Sequence, residues 1–147
     1  MAIKLAIGAD HRGYAYKTYI QQQMSSDDIV WHDVGAHDAA SSDYPLFAHQ
    51  AVDMIQRGVC DGAVLLCGTG IGMAIAANRV RGIYAGVAWC TEVARRGRAE
   101  DHLNILVIPA DFVTADGAVE IVCAWYKSSP SNEERYNRRL RMVDTGV

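Results

Sequence analysis

Between Val64 and Val80 the chain reads VLLCGTGIGMAIAANRV. A strand-like apolar run delivers Cys67 directly into a Gly68-Thr69-Gly70 turn, Gly72 follows, and a helical pattern takes over. Glycines here let backbone N–H groups turn inward, and the next helix adds its N-terminal donors and the positive end of its dipole. Such a cradle stabilises negative charge and is expected to lower the pKa of a thiol at its rim, making Cys67 a source of thiolate near neutral pH. Three chemistries use a loop of this kind. A cysteine phosphatase loop needs arginine where this chain has Met73, and a dinucleotide fingerprint starting at Gly68 needs glycine at that same position. Both fit poorly. Proton abstraction beside a carbonyl uses every element: the thiolate takes a proton from carbon, the N–H nest holds the enediolate oxygen, and a hydroxyl such as Thr69 moves protons between oxygens. The plain alternative is a glycine-rich turn with a buried cysteine.

The elements that position this loop are legible as an alternation. Short apolar runs at Ile3–Gly8, Ile29–Val34, Ala63–Leu66, Ile83–Ala88 and Ile105–Ile108 read as strands. Segments with helical spacing at Tyr14–Met24, Tyr44–Gln56, Ile71–Arg79, Thr91–Ala99 and Ala115–Lys127 lie between and after them. Alternation of this kind predicts βαβ units: a single α/β domain with a doubly wound, Rossmann or flavodoxin-like, five-stranded parallel sheet, helices on both faces, and strand order 2-1-3-4-5. Ligands of such sheets bind beyond the carboxyl ends of the strands where strand order reverses, here between strands 1 and 3. Strand 1 ends in Gly8-Ala9-Asp10-His11 and strand 3 in Cys67-Gly68-Thr69-Gly70, so the polar residues collect where the fold offers a site. After a turn cluster, SSPSN, a charged segment Glu133–Val143 predicts an extra helix outside the alternating plan, within a C-terminal stretch 131–147 expected at a subunit interface.

Bulk properties bound the function. The 147 residues suit one domain, half of them are hydrophobic, and a net charge of −3 supplies no basic field for nucleic acid. No apolar run approaches the roughly 20 residues of a membrane span, and Met1-Ala2-Ile3-Lys4 leads into strand-like sequence rather than a signal peptide, so a cytoplasmic protein without membrane or nucleic-acid partners is expected. Cys60, Cys67, Cys90 and Cys123 show no metal-finger spacing or CxxC pair, which argues against a metal site or disulfide framework.

GADHRGYAYK (Gly8–Lys17), DYP (Asp43–Pro45), CGTGIGMAIAANRV (Cys67–Val80) and EERYNRRLRMV (Glu133–Val143) together resemble the type B ribose-5-phosphate isomerases, a family that also contains galactose-6-phosphate isomerase subunits. The resemblance spans nearly the whole chain. It implies an aldose-ketose isomerase of a phosphorylated sugar, with ribose 5-phosphate to ribulose 5-phosphate the leading reaction and no metal or organic cofactor. By position, Cys67 matches the base that shuttles the proton and Thr69 the residue assisting transfer between oxygens, while Gly68, Gly70 and Gly72 match the anion hole. Asp10 and His11 match polar residues that hold the sugar and its phosphate end, Asp43 lies in a loop lining the cleft, and Arg135 and Arg139 match a phosphate-binding pair commonly supplied by a neighbouring subunit. A homodimer or homotetramer with sites at the dimer interface follows from the resemblance. Trp125 and Tyr126, just before the charged segment, offer aromatic surface to bury, at such an interface or by packing within the chain itself.

Residues 135 and 139 are four apart, so on a helix both project from one face and can close on one phosphate; a solvated basic helix is the other reading. Asp10 could instead shape a turn, His11 could be a surface imidazole, and Asp43 could cap the helix at Tyr44. The chain also departs from the family. Where a ring-opening histidine followed by asparagine is usual, it has Glu100-Asp101, with His102 two positions later as a shifted candidate beside Glu100. Asp111 stands near a position often held by a phosphate-binding arginine, and Tyr84 replaces another arginine. A tetrose 4-phosphate cannot close the ordinary furanose ring and would need no ring-opening group, so it is the substrate alternative these departures suggest, beside a hexose 6-phosphate or a non-catalytic subunit of a heteromeric isomerase.

Overall fold

Odd and even residues of the central strands feed two different cores. Leu5, Ile7, Val64, Leu66, Leu106 and Ile108 pack to one side, and Ala6, Ala63, Leu65, Cys67, Ile105 and Val107 to the other. That is the period-2 alternation of a sheet buried on both faces. The computed structural model describes residues 1–25 and 28–147. Its strands are β1 (Ile3–Ala9), β2 (Ile29–Gly35), β3 (Gly62–Cys67), β4 (Ala85–Val87) and β5 (Ile105–Pro109). Its helices are α1 (Tyr14–Gln23), α2 (Tyr44–Gln56), α3 (Ile71–Ala77), α4 (Thr91–Asp101), α5 (Ala115–Tyr126) and α6 (Glu134–Thr145). Residues of α1, α4 and α5 cover the first face, and those of α2 and α3 the second. Among the described residues no helix is long and apolar enough to cross a membrane.

All four strand pairings are parallel, as expected, but the order is β2-β1-β3-β5-β4, not 2-1-3-4-5. The last two strands are exchanged. Burial gives the reason. Every residue of β5 is buried, so it gains most in the interior position beside β3, whereas β4 has three residues, of which Gly86 and Val87 are only partly buried, and fits an edge. The exchange sets the site, because β3 and β5 end level, with Cys67 opposite Pro109.

On the other flank, Lys17 of α1 is 1% exposed. Its ammonium donates to both oxygens of Asp33 at 2.7 and 2.9 Å and to the carbonyl of Ala36 at 2.5 Å, so all three donors are used. Ala36 in turn donates its N–H to the carbonyl of Ala9 at 2.6 Å. The loop leading from β2 to α2 is thereby fastened to the end of β1. Burial tends to raise the Asp33 carboxyl, but the Lys17 hydrogen bonds and the Gly35 N–H outweigh it and hold the group below its usual range.

The α6 helix has no buried residue. It is attached at its far end by Tyr84, whose hydroxyl donates to Asp144 at 2.6 Å. That bond to a carboxylate, with partial burial, pushes the phenol up to about 12.

Replacing Lys17 with methionine strands the Asp33 carboxylate and is expected to cost about 3 kcal/mol at neutral pH, read from urea unfolding. Since the native Asp33 pKa is depressed, the pair's contribution is present above the ordinary carboxylate pKa and is lost as pH falls through the native value. The gap between wild type and K17M should therefore narrow on acidification; a widening gap contradicts the assignment.

Candidate active site

Cys67 closes β3 on the side covered by α2 and α3, only 5% exposed. The chain then turns through Gly70 at φ +77°, a left-handed conformation that favours glycine; a β-carbon there would also meet the methyls of Val87 and Val107 at 3.2 Å. The turn aims the backbone N–H groups of Met73, Gly70 and Gly72 at the sulfur. These favour thiolate. Burial opposes them and is the larger influence, with the nearby Asp10 charge adding to it, so the thiol is pushed above its ordinary pKa. The expected depression toward neutrality is corrected on this point: the helix mouth does supply donors, but the sulfur sits in apolar surroundings that disfavour charge.

Thr69 is exposed on the same turn, and its oxygen accepts the Ile71 N–H at 3.2 Å, which leaves its own proton to donate. Gly72 serves packing as well, since the Tyr44 ring lies where a β-carbon would stand, 2.6 Å away.

At the end of β1, Asp10 is buried and its N–H donates to Leu66 at 3.3 Å, which fixes it beside Cys67. One carboxylate oxygen accepts from the N–H groups of Arg12 and Gly13 at 3.0 and 3.2 Å, so the turn-shaping role is real, and it orients the carboxylate at the same time. The Nδ1 of His11 accepts from the Ser42 N–H at 3.2 Å, which places the proton of a neutral ring on Nε2. That contact joins the β1 turn to the loop before α2. Asp43 is at the N-cap of α2 but makes no capping bond with its side chain. It faces a cleft of about 730 Å³ shared with Asp10, His11, Arg12, Ser42 and Tyr44. The Ser42 hydroxyl oxygen is buried there without a hydrogen-bond partner among the described residues.

Arg12 and Asp111 form an ion pair at 2.9 Å directly over Gly68. Asp111 also donates its N–H to the Gly68 carbonyl at 3.0 Å. Arg12 was not singled out by sequence reasoning, although it lies inside the GADHRG stretch; nothing in local periodicity reveals that residues 12, 68 and 111 meet. Ser42 and Tyr44 also line the cleft, and no local pattern marks either as a site residue, although Tyr44 falls inside the DYP stretch.

The structure brings Cys67, Thr69, Gly68, Gly70, Gly72, Asp10, His11 and Asp43 to one end of the sheet. It does not bring the other candidates there within a single chain. Arg135 and Arg139 share one face of α6, as their spacing predicts, and flank the Tyr136 ring at 4.8 and 6.0 Å, with Arg135 also paired to Glu133 at 2.9 Å. Neither lines the cleft. Glu100 is held by Arg96 at 3.0 Å and lines a separate recess beside β4. His102 terminates α4 at φ +55°, with Nε2 3.0 Å from the Ser131 carbonyl, and fastens the segment leading to α6.

A family model described as Ribose/Galactose Isomerase matches residues 5–143. Among curated relatives, D-erythrulose-4-phosphate isomerase 2 of Mycolicibacterium smegmatis is 36% identical over 129 residues, spanning 85% of this chain and 84% of that one. Ribose-5-phosphate isomerase B of Escherichia coli is 34% identical over 122 residues, with 83% and 82% covered. Among solved structures, a ribose 5-phosphate isomerase of Thermotoga maritima matches with a TM-score of 0.94 and 35% identity, covering 98% of this chain and 99% of the other.

Because burial outweighs the three N–H donors, alkylation of Cys67 by iodoacetamide, followed by mass spectrometry of its peptide, should accelerate with pH and reach its midpoint at higher pH than that of a free cysteine derivative such as N-acetylcysteine. A midpoint below neutrality contradicts the balance described.

Proposed function

Since this chain belongs to the ribose/galactose isomerase family and is a sugar phosphate isomerase, we propose that its leading reaction is ribose 5-phosphate to ribulose 5-phosphate, carried by Cys67. In the open-chain sugar the Cys67 thiolate takes the proton from C2. The electron pair of that C–H bond forms a C1–C2 double bond, and the carbonyl electrons move to O1, giving an enediolate. Backbone N–H groups of the 68–72 loop hold this charge, Thr69 passes a proton between the oxygens, and the thiol returns its proton to C1. Bonds and charges balance without any other reactant. The observation that supports the reading is the Cys67 sulfur at the end of β3, with three N–H groups aimed at it, beside a cleft. The raised pKa makes thiolate scarce at neutral pH, yet the thiolate that does form is more basic, which suits a weakly acidic C–H. Asp10, His11 and Asp43 hold the sugar.

A tetrose 4-phosphate is the second reading. Glu100 and His102, the two residues the sequence offered for ring opening, are both engaged away from the cleft of their own chain, and a tetrose 4-phosphate needs no ring-opener. One relative is named for D-erythrulose 4-phosphate. Comparing kcat/KM for ribose 5-phosphate and erythrose 4-phosphate decides between the two: a preference above tenfold for either assigns the substrate.

The working unit in this reading is a homodimer, with Arg135 and Arg139 of one copy closing on the phosphate in the other. Ile71 and Ile75, 58% and 59% exposed on α3 next to the catalytic loop, supply apolar surface for that contact.

Two outcomes are expected. Cys67→Ala should lower turnover at least a thousandfold and abolish exchange of the C2 hydrogen with solvent, while sugar-phosphate binding persists; retained exchange excludes the cysteine mechanism. Ile75→Glu should shift the protein to monomer in analytical ultracentrifugation with parallel loss of activity, and an active monomer contradicts the shared site.

A further inference from the structure

A phosphorylated substrate brings a dianion to a cleft that already holds two carboxylates, Asp10 and Asp43. Among the described residues lining it, Arg12 is the only lysine or arginine. We propose that Arg12, braced by Asp111, is the cation that each chain contributes to the phosphate in its own cleft, alongside Arg135 and Arg139 of the second copy; the assignment rests on the sugar-phosphate reading above.

Three segments far apart in sequence build this arrangement. Asp111 is fixed to the catalytic loop through its backbone, N–H to the Gly68 carbonyl at 3.0 Å. Its carboxylate takes one Nη of Arg12 at 2.9 Å. The absent side chain of Gly68 makes room for both, since a β-carbon there would lie 2.7 Å from the Asp111 oxygen and 2.8 Å from the other Nη of Arg12. Arg12 is tethered on its own side as well, its N–H bonded to Asp10 at 3.0 Å.

A guanidinium carries five N–H donors in a rigid fork, so the bond to Asp111 leaves donors for phosphate oxygens. An ion pair this exposed, with side chains 56% and 35% accessible, contributes little to stability. Stability therefore does not account for a pair held at the loop beside Cys67, whereas presenting a fixed cation does. Asp111 acts as a positioning residue: it orients Arg12 at the cost of a negative charge near the ligand.

The test uses the full chain as Arg12→Met, Arg12→Lys and Asp111→Asn. Steady-state kinetics are measured with ribose 5-phosphate and erythrose 4-phosphate, and inorganic phosphate is titrated by calorimetry. R12M should raise KM and weaken phosphate binding about tenfold to a hundredfold, with a smaller change in kcat and little change in Tm; R12K should recover part of the loss. D111N should also raise KM, although removing a carboxylate would by electrostatics alone tighten phosphate.

KM and phosphate affinity within twofold of wild type in R12M overturn the assignment. Tighter phosphate binding by D111N overturns the bracing. Should wild type turn over no phosphorylated aldose, the proposed function fails, while the phosphate titration of wild type against R12M still decides the role of Arg12.

Discussion

Because Ala9 lies opposite Leu66 and Cys67 opposite Pro109, strands β1, β3 and β5 leave the sheet at one height. Three segments separated by dozens of residues must then turn within a few ångströms of one another. One turn carries Asp10, His11 and Arg12, the second the Cys67 loop, and the third Asp111. Each turn uses groups of the next: Asp10 donates to Leu66, and Asp111 donates to Gly68. Parallel pairing imposes this, since it gathers every carboxyl end on the same edge.

The electrostatics of the site are a contest between a dry interior and aligned donors. Cys67 belongs to an apolar cluster, and its environment penalises charge more strongly than three N–H groups reward it. A thiol in that position is harder to ionise than one in water. The Asp10 carboxylate reinforces the penalty, and at the same edge of the sheet Arg12 is paired with Asp111. The carboxyl edge of the sheet therefore carries both signs of charge side by side, an acid after β5 and a cation supplied by the β1 turn.

Several residue types suited to catalysis are spent on architecture. Lys17 clamps Asp33 and Ala36, which ties the loop bearing Ser42 and Asp43 to β1. Tyr84 anchors the far end of α6 through Asp144, and His102 holds Ser131 at its near end. These bonds fix where α6 leaves the domain. Arg135 and Arg139 are consequently presented outward, flanking Tyr136, rather than folded back on their own cleft.

Local patterns, which depend only on neighbours in the chain, were decisive for much of this. Short apolar runs and helical spacing located five strands and six helices to within a few residues, and α2 at its observed bounds, Tyr44–Gln56. The crowded glycines after Cys67 marked the loop, and the spacing of Arg135 and Arg139 marked their common face. Tertiary structure alone decided what depends on distant partners. The place of β5 beside β3 came from competition between a fully apolar strand and a short, half-exposed one, which no local period records. The rise of the Cys67 pKa came from burial summed over two helices and the sheet. The meeting of Arg12, Gly68 and Asp111 came from strand register, because a turn's sequence states how the chain reverses but not which other turn it will face.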